Sequence, residues 1–198
     1  MGLKEAIKTI ACLILYCYDG FPTTTELRYP KMNSTAEQSL INNLEVTIRP
    51  TSSSPETIVI VVTNANPFPV SFFRDYSPLD PLALRLGMLK VTPQWAEKPM
   101  RLPQVRFNRP WPPPLTSTVT IFPGTSMTSE FCLRNLGIHL RTLGVSPVVF
   151  LYGHWAAVWK GTRIDPKLFE APKWAAASGD FVSNNMTLDL SRLWLLYA

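Results

Sequence analysis

Between Leu44 and Trp159 the apolar positions either alternate with polar ones or run together in short blocks, and turn-forming residues separate the blocks. Leu44-Glu45-Val46-Thr47-Ile48 alternates, which predicts a strand with one buried face. Thr51 to Pro55 is a turn cluster. Thr57 to Thr63 is a continuous apolar run of β-formers, the pattern of a strand in a central sheet position. Asn64 to Pro69 breaks that run, and Val70 to Phe73 resumes it. Further strands are predicted at Leu82 to Val91, with Gly87 as a bulge, and at Pro99 to Phe107, where prolines shorten the segment. Thr116 to Phe122, Ser126 to Leu133 and Pro147 to Trp159 complete the series. Beyond Thr162 the pattern predicts a short helix at Asp165 to Ala177, a strand at Asn184 to Leu190, and an apolar end, "RLWLLYA".

Roughly eight short strands with turn signals between them describe a two-sheet sandwich. Nineteen prolines against nine glycines fit the same picture, because proline disfavours long helices and stiffens loops. Pro67 and Pro69 lack the N–H that a ladder needs, so pairing must stop there. The stretch 64–69 is therefore expected to be a corner, where the chain leaves one sheet and crosses to the other.

The first 31 residues read differently. Lys4 and Lys8 precede an apolar run from Ile10 to Tyr18, too short to span a bilayer, which takes about 20 residues. Three readings stay open: a signal-peptide core without a clear cleavage site, a short amphipathic helix with Leu3, Ile7, Ile10 and Ile14 on one face and membrane contact at residues 1–18, or a dispensable leader before a domain that starts at Met32. The expected division is thus a leader at 1–31, a sandwich at 32–161 and an extension at 162–198 whose short helix and final strand pack on the sandwich. Asn33 and Asn185 are sequons that matter only outside the cell.

Charge changes the picture little. Of the net +5, four charges lie on residues 32–161, which carry eleven basic and seven acidic side chains, and one lies on residues 1–31. A nucleic-acid binder shows a denser basic stripe, so none is expected. Cys12 and Cys17 lie in the leader and Cys132 in the domain, so the domain holds no pair to staple it. A cytoplasmic setting is expected, with secretion as the alternative.

No segment carries recognisable catalytic spacing. His139 and His154 lie fifteen apart and make no zinc pattern with Cys132, so neither metal nor cofactor is expected. Asp75 and Asp80, in "RDYSPLDP", read as turn-formers, with Arg74 beside Asp75. The segment Thr92 to Pro114 stands apart. Lys98, Arg101, Arg106 and Arg109 face the single acid Glu97, and Trp95, Phe107 and Trp111 are interleaved. Arginine and aromatic residues concentrate at interface hot spots, so Arg101, Arg106, Arg109 and Trp111 are candidate partner-binding residues, the bland alternative being a stiff crossover. In "GHWAAVWKG", Trp155 and Trp159 are expected on one strand face, packed as core with His154 outward; the alternative is a ligand groove built from His154, Trp155 and Trp159.

"LEVTI", "IVIVVTNANPFPVSFFRDYSPLDP", "IFPGTSMTSEFCL" and "VVFLYGHWAAVW" follow one another in an order that resembles the pro-domain of fungal deuterolysin-type metalloproteases. The likeness spans Leu44 to Lys160 and extends to small stand-alone fungal proteins of that type. It implies a fungal origin and an immunoglobulin-like sandwich, so the expected fold class is all-β, an immunoglobulin-like two-sheet antiparallel sandwich, to which the residue pattern adds a short N-terminal and a minor C-terminal helix. The His-Glu-x-x-His site of the family's protease domain is absent, so the resemblance does not imply proteolysis.

Three functions follow as expectations. The first is a non-catalytic module that binds a protein partner. The second is a small accessory isomerase or cyclase of fungal secondary metabolism, acting on an apolar metabolite. The third is a free-standing inhibitor or chaperone of a metalloprotease. Oligomeric state is not readable from the sequence.

Overall fold

The structure is a computed structural model that describes residues 35–51, 56–110, 113–162 and 176–192. One helix, α1 (Thr35–Asn42), precedes nine strands among these residues. They are β1 (Leu44–Pro50), β2 (Thr57–Asn64), β3 (Val70–Phe73), β4 (Leu89–Thr92), β5 (Thr118–Ile121), β6 (Ser126–Cys132), β7 (Val148–Lys160), β8 (Ala177–Val182) and β9 (Met186–Thr187). All pairings are antiparallel.

The first sheet has the order β1-β2-β6, with the apolar run of β2 at its centre as its pattern requires. The second is organised around β7. That long strand pairs with β4 through Val148–Leu151 and with β3 through Val158–Lys160, while β8 and β9 line its other side and β5 pairs with β3. Val46, Ile48, Ile58, Ile60 and Val62 from the first sheet meet Val70, Phe72, Leu89, Val91, Val149, Leu151 and Trp155 from the second in one core. Burying each such side chain stabilises by about 1.5–3 kcal/mol. Trp155 sits in the middle, with the Phe72 ring edge-on at 4.9 Å and Phe181 at 5.3 Å.

The corner is where the prolines place it. β2 ends at Asn64 in the first sheet and β3 begins at Val70 in the second. Asn64 is fully buried and holds the corner shut. Its Nδ2 donates to the carbonyls of Phe68 and Ile121, both at 2.9 Å, and its Oδ1 accepts from the backbone N–H and the Nδ2 of Asn66, both at 3.0 Å.

Several expected elements differ. The strand expected at Leu82 to Val91 is mostly turn, and only Leu89–Thr92 pairs. Asp80 is the cause: its Oδ1 accepts the Leu82 N–H at 2.8 Å and its carbonyl accepts the Ala83 N–H at 2.8 Å, which curls the chain before any ladder starts. Gly87, at φ 86°, ends that turn and is not a bulge. Pro99 to Phe107 is irregular and touches neighbouring backbone at Met100 N–H to Val91 O and Val105 N–H to Arg85 O. Asn184 to Leu190 pairs only at Met186–Thr187. The expected helix at Asp165 to Ala177 lies outside the described residues except at its end, where Ala177 opens β8. The expected helix within residues 1–18 also lies outside them. α1 was not anticipated, although Ser34-Thr35-Ala36-Glu37 has the spacing of a capping box.

Candidate functional site

The segment from Pro93 to Pro114 joins β4 to β5, and it is pinned at intervals. At its start, Gln94 donates its N–H to Leu143 O at 2.9 Å and accepts the Val145 N–H through Oε1 at 3.0 Å. This lays Trp95 against Gly144, where a Cβ would come 3.1 Å from the indole. Gly144 has φ 83°, so glycine is required there on both counts. Trp95 nonetheless keeps 67% of its surface exposed.

At its far end the segment is anchored by Arg109. Its Nη2 donates to Asp80 Oδ1 at 3.0 Å, its Nη1 pairs with Asp80 Oδ2, and Nη1 also lies 3.3 Å from Asp75. Asp80 is fully buried, and it accepts the Tyr76 N–H on Oδ2 at 2.7 Å besides the Leu82 N–H. The two acids of "RDYSPLDP" do form turns, but the cation facing Asp75 is Arg109 and not its neighbour Arg74. The guanidinium also lies over the rings of Tyr76 at 5.2 Å and Phe107 at 5.7 Å. Tyr76 has φ 61°, a left-handed conformation uncommon for a bulky residue. Hydrogen bonding to Asp80 holds Arg109 above the ordinary arginine pKa, against the effect of burial. Burial pushes the Tyr76 phenol up, and the charge of Arg109 offsets part of that rise.

The expected partner-binding residues therefore divide. Arg101 and Arg106 are exposed. Arg109 is turned inward, with its side chain 14% exposed. Trp111 lies outside the described residues. Phe107, 53% exposed, rests beside Arg109 and presents the rest of its ring to solvent.

The aromatic trio on β7 is not brought together. A bulge between Trp155 and Val158 shifts the register against β8. Trp155 and Val158 face the main core, whereas Ala157 and Trp159 face a second cluster with Phe73, whose ring meets Trp159 edge-on at 5.3 Å. The two tryptophans thus do not share the face that their spacing predicts, because the extra residue inverts the alternation. His154 lies on the outer face, its Nδ1 2.7 Å from Asp180 Oδ1, with the Tyr152 hydroxyl donating to Asp180 Oδ2 at 3.4 Å. The cavity touching Trp155 measures about 10 Å³, the size of one water site. Among the described residues no three His, Cys, Asp or Glu side chains gather as a metal set.

Two antiparallel sheets packed face to face, joined by a proline-set corner, define an immunoglobulin-like β-sandwich. A family model for an immunoglobulin-like domain matches residues 43–190, and the chain belongs to that family. A search of curated proteins gives no match.

Proposed function

We propose that this immunoglobulin-like domain is a protein-binding module that contacts an acidic partner through its β4–β5 crossover. The observation that carries this reading is a two-thirds-exposed Trp95 on a backbone pinned at Gln94, Met100, Val105 and Arg109. A tethered aromatic loses little conformational entropy on docking, which raises its value as an anchor. Lys98, Arg101 and Arg106 are exposed on the same segment against Glu97, so the net charge offered is positive. Arg109 serves this surface from beneath, as its anchor. The finer likeness, to stand-alone relatives of fungal deuterolysin-type pro-domains, rests on the four stretches quoted above. A cytoplasmic setting belongs to the same reading; among the described residues Cys132 is a free cysteine.

The test is site-specific photocrosslinking from position 98 in cells, followed by recovery of the crosslinked partner with Trp95→Ala and Arg101→Ala/Arg106→Ala variants. Loss of the partner with an unchanged Tm supports the surface. Undiminished recovery with both variants sinks it.

A further inference from the structure

On the opposite flank the sandwich is open between the edge of β1 and the edge of β8. A slot of about 360 Å³ lies there, lined by Ile41, Leu44, Glu45, Val46, Asp180 and Val182, among others. Both of its ends are closed. α1 packs against β8 and supplies Ile41 at one end. At the other, the side-chain amide of Asn184 imitates a strand: its Oδ1 accepts the Ile48 N–H at 2.8 Å and its Nδ2 donates to Ile48 O at 3.1 Å.

The open part between these ends presents backbone from both sides. Backbone groups alternate along a strand, so Val46 turns its N–H and C=O to the same side as Ile48, into the slot. Just past the end of β8, Ser183 donates its N–H to the Leu151 carbonyl of β7 at 2.9 Å, so Val182 and Asp180 turn theirs away from β7. Tyr152, which faces Val182 across the ladder, donates instead to Met88 at 2.9 Å, in keeping with that alternation. Val182 is also 63% exposed, an apolar side chain on a strand that, among the described residues, pairs only with β7. The floor is apolar through Leu44, Val46 and Phe181, and the lips carry Glu45 and Asp180. Of the charged residues on β1 and β8, Glu45 and Asp180 are acidic, and Arg49 alone is basic and lies beyond the Asn184 contact. His154 of β7 faces Asp180 from the outer surface.

We propose that this slot is a strand-addition site, in which β8 pairs with an extended segment of a partner protein that places apolar side chains inward and lysine or arginine outward at alternate positions. Main-chain hydrogen bonds to Asp180 and Val182 hold the segment, the apolar floor takes every second side chain, and the acidic lips select the basic ones. The stretch from Leu44 to Thr47 admits about three to four residues at ~3.3 Å each. Asn184 shows the geometry at work, since its amide already makes the paired contact one strand position further along.

The probe is an acetylated Lys-Val-Lys-Val-Lys-Val peptide, titrated into the full chain by calorimetry and followed by amide exchange. Saturation is expected to slow exchange at Asp180 and Val182 by about tenfold or more, and the Glu-Val counterpart should bind at least about tenfold more weakly. Val182→Pro removes one outward donor and leaves the β7 ladder intact, because proline is tolerated on an edge strand whose N–H faces out. It should weaken the peptide by about tenfold or more at an unchanged Tm. If that variant loses stability, Asp180→Lys, at an exposed position, carries the same test through charge. Equal affinity for the basic and acidic peptides overturns the proposal, as does binding that survives both variants or no binding at millimolar peptide. Sedimentation of the protein alone is the remaining check: a dimer dispersed by Val182→Pro would assign the edge to a second copy and overturn it as well.

Discussion

Replacing Arg109 with methionine keeps most of the aliphatic stem and removes the charge from a fully buried carboxylate. Asp80 accepts four hydrogen bonds, two from Arg109 and one each from the Tyr76 and Leu82 backbones. The variant loses the two charge-assisted ones and leaves the acid with backbone donors only. Breaking a buried ion pair from one side costs about 3–5 kcal/mol. The 14% exposure of Arg109 and 23% of Asp75 admit some solvent, which favours the lower end, about 3 kcal/mol. For a domain of this size that corresponds to a Tm lower by about 6–12 °C. Urea unfolding gives the free energy, and amide exchange at Met100 and Val105 shows whether the crossover loosens with it. Asp80→Asn combined with Arg109→Met should cost clearly less than the sum of the two single changes, since the second removes a partner already lost. A loss below about 1 kcal/mol for Arg109→Met, or simple additivity in the pair, refutes the view that this ion pair anchors the crossover.

Other consequences are as open to measurement. Asn64→Ala strips four contacts from the corner and leaves the Phe68 and Ile121 carbonyls short of a donor, so chemical denaturation should show a loss of about 2–4 kcal/mol. Gly153→Ala would bring a Cβ within 2.6 Å of Phe181 Cζ; overpacking of this kind costs about 1–3 kcal/mol, and thermal melts should show it despite the better strand propensity of alanine. Tyr76 carries a raised pKa in the fold, so the folded state holds its proton longer than the unfolded chain does. Its contribution is complete below the ordinary value of 10.0 and is lost as pH climbs through the folded pKa. Stability measured upward from pH 9 should therefore fall less steeply in Tyr76→Phe than in the wild type; equal slopes would show that the phenol does not titrate in this way.

Much of the sandwich could be read in one dimension because its signals are local. Pro67 and Pro69 remove donors from any ladder they enter, so the corner was visible without knowing what it joined. The alternation of β1 and the unbroken run of β2 report one and two covered faces directly. Leu82, Leu84 and Leu86 misled for the same local reason: their alternation imitates a strand, and the competing turn depends on how Asp80 spends its two oxygens. The bulge in β7 falls at Ala156-Ala157, residues with no turn signature, so nothing in the composition warns that Trp155 and Trp159 part company. Contacts across long separations were closed to inspection altogether. Arg109 finds Asp80 from 29 positions away, and Asn184 finds Ile48 from 136. The basic-aromatic segment could be recognised as unusual from its residues, yet which arginine points inward is decided only by the fold.

The central place of β7 also orders events in time. β1, β2 and β6 are complete once the chain reaches Cys132, so the first sheet has all its strands before β7 exists. Among the described residues β4, β8 and β9 have no strand partner other than β7, and β3 without it has only β5. During synthesis the second sheet must therefore wait for residues 148–160, while the apolar inner face of the first stands open to its surroundings. Chains released or stalled in that interval carry one finished sheet and an exposed half of the core, which makes them the species most prone to aggregate.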